Sequence, residues 1–443
     1  MTTPDQVLNA AYADTQRYER RLSGLLIAFL STGLVYLLGP GSFLGLWNLF
    51  AISHRETAGA VPAAWLQAHA HAEIYGWVGS FILGIGFHSL TRIRHARVPL
   101  GWAWTCWALW TTGVGLRWFT GVTAWHWRMV LPASAVLEIV AFAIFQRSIS
   151  TTHRDATARQ PGAPREPLPG WVLLVLTGAM GFLLTLVLNL GADFYLALAG
   201  RSPTYAPGFD HRLVELVTWA FLVPFIFGFS TRWLPIFAGW RPAPDWMPRA
   251  LVTCLALGVI TTLAGVFAAA ALAWLAAAVI AAAGLHVFQP AVLPAKTKGI
   301  HRSFPLFLRL TYAWLLIAAL LGAWAAAESG VAGIVGAGRH ALTVGFIAGM
   351  VLTIGPRILP AFSGMKTLYS PRLMLLALAL LEVGCLLRVS GELLAYTGWW
   401  SFAWHWLPLS AAIEVTAFAV FAYNLIRTLL RPPAHVMRMA QQQ

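Results

Sequence analysis

Apolar runs of about twenty residues recur along the whole chain, and shorter segments between them carry most of the charged residues. A helix of roughly twenty apolar residues crosses the hydrocarbon core of a bilayer, whereas barrel strands need an alternating pattern that this chain lacks. The predicted fold class is therefore all-α, a polytopic membrane protein. About twelve transmembrane helices are predicted, and they begin near residues 22, 66, 101, 129, 170, 212, 249, 270, 305, 333, 371 and 405.

The composition excludes a soluble protein of this length. Of the 443 residues, 58% are hydrophobic and only 10% are charged, and the mean hydropathy is +0.69; a soluble domain needs more charge on its surface. The net charge of +14 does not indicate nucleic-acid binding, because the basic residues lie mainly in the segments between alternate helices and at the chain ends. Basic residues in such positions mark the cytoplasmic side, so both termini are expected to be cytoplasmic.

The chain ends and one linker complete the predicted organisation. Residues 1–21 form a cytoplasmic N-terminal segment, in which 4–21 are predicted to be a short surface helix, and the first span follows to about Gly39. The N-terminus has no cleavable leader pattern, so this first span is expected to remain as an anchor. A single membrane domain covers 22–431, with a polar linker at 150–170, and residues 432–443 form a cytoplasmic tail.

Internal repeats divide the membrane domain into three four-helix units, at 22–149, 170–289 and 305–431. The segment LPASAVLEIVAFAIF (131–145) returns as LPLSAAIEVTAFAVF (407–421), which aligns Glu138 with Glu414. Helices two and ten also align, with His71 on His340, and RWLPIFAG in helix six is similar to RILPAFSG in helix ten. An even number of helices per unit keeps the three units in one orientation. We therefore expect a pseudo-threefold bundle rather than the inverted repeat of many transporters.

Histidines concentrate at the outer membrane face of this predicted topology. Ionisable groups in a membrane are costly, so each requires a reason. On a helix, His69 and Glu73 share a face, as do His211 and Glu215, whereas His69 and His71 point apart. The outer histidines are His54, His69, His71, His126, His211, His340 and His405.

These histidines are candidate ligands of haem and of a second metal. Neutral imidazole is a usual axial ligand of non-covalent haem, and His71 with His340 is the predicted haem pair. His69 and His211, with Glu215, are predicted to form a second metal or haem site, in which copper or non-haem iron are the alternatives. His126 and His405 each lie in a WHW sequence, which suits metal ligation or an aromatic belt at the membrane surface.

Other buried charges and the cysteines add detail to this picture. Arg117 and Arg388 suit haem propionates, because a guanidinium forks onto carboxylates; the alternative for each is an ion pair, with Glu138 or Glu414 respectively. Together with Glu73, these two carboxyl groups are expected to assist proton supply or charge balance. Three isolated cysteines and no CxxCH sequence exclude covalent haem attachment, so the expected cofactor is haem b.

The chain resembles the NnrS family, haem- and copper-containing proteins of the bacterial inner membrane that are associated with the response to nitric oxide. The resemblance rests on the His-Ala-His sequence and acidic residue that open helix two, on RWLPIF in helix six and on RHALTVGFIAGMVLTIGPRILPAF in helix ten. A weaker resemblance, in the twelve helices and outer histidines, is to the catalytic subunit of haem-copper oxidases and nitric oxide reductases. Helix seven lacks the histidines of an oxidase-type copper site, and helix ten has one where the oxidases have two.

The leading interpretation is a nitric oxide reductase-like oxidoreductase that binds and reduces or detoxifies nitric oxide near the periplasmic face. The resemblance implies the substrate and the inner-membrane location, and the lipid bilayer is the expected surrounding. The electron donor is a membrane quinol or a cytochrome. Two alternatives stay open, namely a non-catalytic nitric oxide sensor or haem- or copper-handling protein, and a cofactor-free secondary transporter.

Overall fold

The computed structural model describes residues 4–94, 97–158, 168–328, 332–363 and 366–431. Helix is the only regular secondary structure in these residues, as the sequence predicts. Residues 159–167 of the predicted linker and the whole C-terminal tail lie outside the described residues. The described parts contain twelve helical rods: α1 (4–55), α2 (63–94), α3 (Leu100–Thr123), α4 (Trp127–Ala158), α5 (Gly170–Ala199), α6 (Pro207–Ala238), α7 (Met247–Leu263), α8 (Phe267–Gly284), α9 (Phe304–Ala327), α10 (332–362), α11 (Pro371–Tyr396) and α12 (Trp406–Leu429).

Nine segments of the described chain are long and apolar enough to cross a membrane. They lie in every rod except α2, α3 and α7, of which α7 is apolar but shorter. The protein is thus a multi-pass helical membrane protein, as predicted, and nine of the predicted twelve helices meet the length and hydropathy needed for a span.

The first rod differs from its prediction. The structure shows one helical rod over 4–55 with no separate surface helix and no end near Gly39. Its turns widen into a π-helix at Leu37–Phe43, which contains Pro40. Glycine and proline usually end a helix, and the predicted end of the first span lies at Gly39, directly before Pro40. A π-turn has an irregular hydrogen-bond pattern, so the missing N–H of Pro40 is accommodated without ending the helix.

The rods form a closed bundle. Each rod packs against the next one along the chain, and α12 packs against the second half of α1. The most apolar windows of α6 and α10 are 72% buried, against 33–50% for the other candidate spans. Tyr75 of α2 stacks with Phe221 of α6 at 6.1 Å between ring centroids. Rods α2, α6 and α10 therefore form the inner part of the bundle, and they are the rods that carry His69, His211 and His340.

Each of these inner rods contains a π-helical segment, at Ala72–Gly79, Val217–Leu222 and Ala341–Ala348. In α2 and α10 the segment begins directly after the aligned histidines His71 and His340. Single π-turns inside α-helices occur frequently at functional sites. The division into three related units stays a prediction.

Candidate functional site

A cavity of about 910 Å³ lies between the inner rods and α1, α8, α9, α11 and α12. Most of its lining is apolar, and the titratable groups come mainly from α2, α6, α10 and α11. Three of the four histidines predicted to bind a cofactor face it, and His71 does not. Its titratable lining residues are His69, Glu73, Asp210, His211, Glu215, Arg339, His340, Arg388, Glu392, Tyr396 and Glu414.

His69 is held with one ring nitrogen free. Its Nδ1 lies 2.9 Å from the carbonyl oxygen of Gly41 in the π-helix of α1. A carbonyl only accepts hydrogen bonds, so Nδ1 donates and the lone pair of the neutral ring is on Nε2. A Cβ at Gly45 would lie 2.7 Å from Cε1 of His69, so glycine at this position makes room for the ring. Nearby, Glu73 accepts a hydrogen bond from the Ser42 hydroxyl at 2.7 Å.

His340 has an equivalent arrangement with a carboxylate. Its Nδ1 lies 2.9 Å from Glu392 Oε1 and 3.1 Å from the carbonyl oxygen of Gly336, so it donates and leaves Nε2 available. Metal-ligating histidines commonly donate their other N–H to a carboxylate or a backbone carbonyl, which fixes the ring and raises its basicity. Glu392 was not predicted from the sequence, although it lies one turn after Arg388 on α11, and i, i+4 spacing puts both on one helix face.

His211 is engaged at both nitrogens. Arg339 Nη2 lies 2.8 Å from His211 Nδ1. A guanidinium only donates, so Nδ1 accepts and the proton of the neutral ring is on Nε2, which lies 3.6 Å from Glu215 Oε1. Glu215 also faces the Thr262 hydroxyl at 3.4 Å. In this arrangement the His211 ring has no free lone pair.

His71 is buried on the opposite face of α2. Its Nε2 lies 2.9 Å from Glu138 Oε1, and its ring stacks on Tyr75 with centroids 4.6 Å apart. It lines a separate pocket of about 40 Å³, between α2, α3, α5 and α6. The structure therefore does not bring the two histidines predicted as haem ligands, His71 and His340, to one cavity. The expected divergence of His69 and His71 is what separates them.

The two predicted arginines have different partners. Arg388 faces Glu414, with 3.4 Å between Nη2 and Oε2, as the ion-pair alternative predicts. The corresponding alternative for Arg117, an ion pair with Glu138, is wrong. Glu138 is hydrogen-bonded to His71, and Arg117 Nη1 lies 2.6 Å from both oxygens of Asp193. Asp193 was not predicted from the sequence. It is the single acidic residue of the apolar helix α5, and a lone charge in such a helix indicates a buried partner or a functional role.

The two WHW histidines lie away from the cavity. His126 and His405 are exposed. His405 Nδ1 lies 3.3 Å from the Phe402 carbonyl oxygen, and its ring stacks on the Phe402 ring, while His126 packs edge-on to Trp125. These contacts fit the aromatic-belt alternative, and metal ligation by either residue stays a prediction.

Within the described residues, no three His, Cys, Asp or Glu side chains lie close enough together to hold a metal ion. The cavity instead contains imidazole–carboxylate pairs, of which His340–Glu392 has the shortest contact. Two ligands do not complete a metal site. A haem, whose macrocycle supplies four ligands of its own, needs only one or two imidazoles, and the two rings with a free Nε2 are those of His69 and His340.

Comparison with known proteins assigns the chain to a family. A search of curated proteins finds no match. The family model described as NnrS protein matches residues 24–432, from the first rod to the end of the twelfth. The chain therefore belongs to the NnrS family.

Proposed function

We propose that this protein binds haem b in the main cavity and uses it to reduce nitric oxide. Membership of the NnrS family indicates a membrane protein of the nitric oxide response, and the family is associated in general with haem and copper. The observation that carries the proposal is that His69 and His340 face one cavity and that the hydrogen bonds of both rings leave Nε2 available.

The cavity suits a macrocycle. Its volume of about 910 Å³ lies at the upper end of the range for ligand pockets, and a mostly apolar lining with a few placed polar groups is what such sites have. Arg339 lines it, and its Nε has no hydrogen-bond partner among the described residues. A guanidinium with a free donor suits a haem propionate. Arg339 fits this role better than Arg117, which is paired with Asp193 outside the cavity.

The reaction proposed is 2 NO + 2 H⁺ + 2 e⁻ → N₂O + H₂O. A bound haem would supply the redox centre and the position at which nitric oxide binds. The chain's own part is to hold that group through His69 and His340, and to exclude water with the apolar wall. Of the carboxyl groups predicted to assist proton supply or charge balance, Glu73 and Glu414 line the cavity, and Glu138 lies outside it. Glu215, predicted for the second metal site, also lines the cavity. For copper, His211 with Glu215 is the candidate pair, but the ring must first give up its contact with Arg339.

The decisive experiment compares histidine variants of the purified protein in detergent. The unmodified protein should show a Soret band that shifts on reduction and on addition of nitric oxide, and a nitric oxide electrode should record sustained consumption under reducing conditions. His69→Ala and His340→Ala should each lower the haem content or change the spectrum. His71→Ala, two residues away on the same rod, is the matched control and should retain the band.

Each contrary result has a definite meaning. A folded but colourless protein would contradict the haem proposal, and the cofactor-free transporter would then be the remaining interpretation. Loss of the band in His71→Ala alone would transfer the ligand role to the small pocket. Nitric oxide binding without consumption would identify a sensor or carrier instead of a reductase.

A further inference from the structure

One wall of the main cavity contains buried polar atoms that lack partners. Asn48 of α1 is 1% exposed, and neither its Nδ2 nor its Oδ1 has a hydrogen-bond partner among the described residues. The same holds for Nε and Nη1 of Arg388 and for Oε1 of Glu414, which are 4% and 5% exposed as residues. All three side chains line the cavity. Buried polar groups are nearly always hydrogen-bonded, so these atoms point to a ligand.

The polar atoms without hydrogen-bond partners indicate the chemistry of that ligand. Arg388 and Asn48 Nδ2 need acceptors. Glu414 Oε1, in a carboxylate paired with Arg388, and the amide oxygen Asn48 Oδ1 need donors. A haem propionate offers acceptors only. It would leave the two oxygens unpaired and add a second carboxylate beside Glu414. A hydroxyl group both donates and accepts, so a neutral head group that carries hydroxyls matches the set.

The neighbouring wall is apolar and aromatic. Leu49, Val415 and Phe418 line the cavity near these groups, and Trp77 packs edge-on to Phe418 with centroids 5.5 Å apart. Aromatic side chains of this kind pack favourably against a further ring. The site therefore combines a hydroxyl-binding end with a wall that suits a flat aromatic ring.

We propose that Asn48, Arg388 and Glu414 bind the head group of a membrane hydroquinone, which serves as the electron donor. This inference rests on the proposed function for its oxidant. The hydroquinone loses two electrons and two protons and becomes the quinone, and two nitric oxide molecules take up both. The net reaction, QH₂ + 2 NO → Q + N₂O + H₂O, balances without protons from outside the cavity.

Binding of decylubiquinol and decylubiquinone to the purified full-length protein, measured by anaerobic calorimetry, tests the proposal. The hydroquinone should bind more tightly than the quinone, because only the hydroquinone has donors for Glu414 and Asn48. Asn48→Leu keeps the side-chain size and removes both amide atoms, and it should weaken hydroquinone binding about tenfold. Thr120→Val is the matched control: its hydroxyl is also buried without a partner, but it does not line the cavity, and its affinity should be unchanged.

Photolabelling provides a test that requires no substitution. An azido-quinone should label peptides from Leu44–Arg55, Pro371–Tyr396 or Trp406–Leu429, which carry Asn48, Arg388 and Glu414 respectively. Label confined to other helices, or saturable binding that Asn48→Leu leaves intact, would overturn the proposal.

The two proposals fail separately. If dithionite supports nitric oxide consumption but decylubiquinol neither binds nor supports it, the donor proposal is wrong and the proposal of nitric oxide reduction is retained. If decylubiquinol binds in an Asn48-dependent way and no reductant supports consumption, the hydroquinone site stands and nitric oxide reduction falls.

Discussion

At the scale of single residues, hydrogen-bond partners decide what each imidazole can do. His69 donates to the Gly41 carbonyl and His340 to the Glu392 carboxylate, so each presents Nε2 to the cavity. His211 accepts from Arg339 and has no free lone pair. Histidines of one cavity thus occur as two different tautomers. The sequence alone does not distinguish the tautomers, because the hydrogen-bond partners come from distant helices.

Glu392 provides a test at this scale. Glu392→Gln removes the charge next to His340 Nδ1, and loss of such an outer-shell carboxylate typically lowers metal affinity 10- to 100-fold. We expect a lower haem affinity, measured by titrating haem into the apoprotein. Glu382→Gln is the control: Glu382 is on the same helix, accepts from Trp314 Nε1 at 2.7 Å and does not line the cavity. Equal affinities in the two variants would contradict the role assigned to Glu392.

Spacing along a helix predicted the faces of the site residues, and it could not predict their partners. The i, i+4 rule placed Glu73 with His69 and Glu215 with His211 on the cavity, as observed. The rule also separates His71 from His69, but it does not say which of the two faces the centre of the bundle. That choice depends on Glu138 of α4, which holds His71 away from the cavity.

At the scale of helices, a buried ion pair connects α3 to α5. Arg117 and Asp193 are 8% and 0% exposed at the side chain. Tyr205 donates to Asp193 Oδ1 at 2.7 Å, and the Arg117 guanidinium lies over the Tyr205 ring. Since α3 and α5 belong to different predicted units, this cluster holds two units together.

Breaking this pair should destabilise the protein. Asp193→Asn leaves the Arg117 charge buried without a counter-charge, and such changes cost about 3–5 kcal/mol in free energy of unfolding. Thermal unfolding in detergent measures the effect. Asp14→Asn removes the same charge from an exposed pair with Arg97 and should change the midpoint little. Similar midpoints for both variants would show that the buried pair does not stabilise the fold.

The length and spacing of the apolar runs predicted the positions of the rods well. They did not predict where the helical hydrogen-bond pattern changes within a rod. The starts of α2 to α12 agree with the sequence to within a few residues. The π-helices in α1, α2, α6 and α10 were missed, and so was the continuation of α1 past Pro40. A π-turn depends on how a helix packs against its neighbours, and no residue type marks it.

At the scale of the whole molecule, the cavity lies at one end of the bundle. The side-chain amide of Gln67 in α2 bonds both backbone groups of Tyr205 in the α5–α6 connection, and Arg128 at the start of α4 reaches the Gly200 carbonyl. The same end carries His69, His211 and His340. The predicted topology assigns this end to the periplasm.

Reporter fusions test that orientation. Green fluorescent protein fused after Gln443 should fluoresce, because it folds in the cytoplasm, and alkaline phosphatase fused after Arg201 should be active, because it folds in the periplasm. Each reporter exchanged to the other site is the control and should be silent. The reverse pattern would place the histidine end in the cytoplasm and both termini outside.

Closure of the ring by α12 against α1 has a consequence for biosynthesis. The cavity wall combines Gly45 from the start of the chain with Glu414 from its last helix. At about 5–20 residues per second, the ribosome completes the last helix tens of seconds after His69 has been made. During that interval the histidine has no finished site around it. The last helix must therefore be in place before the cavity is complete, and a factor that delivers the haem of the proposed function would act on a nearly complete bundle.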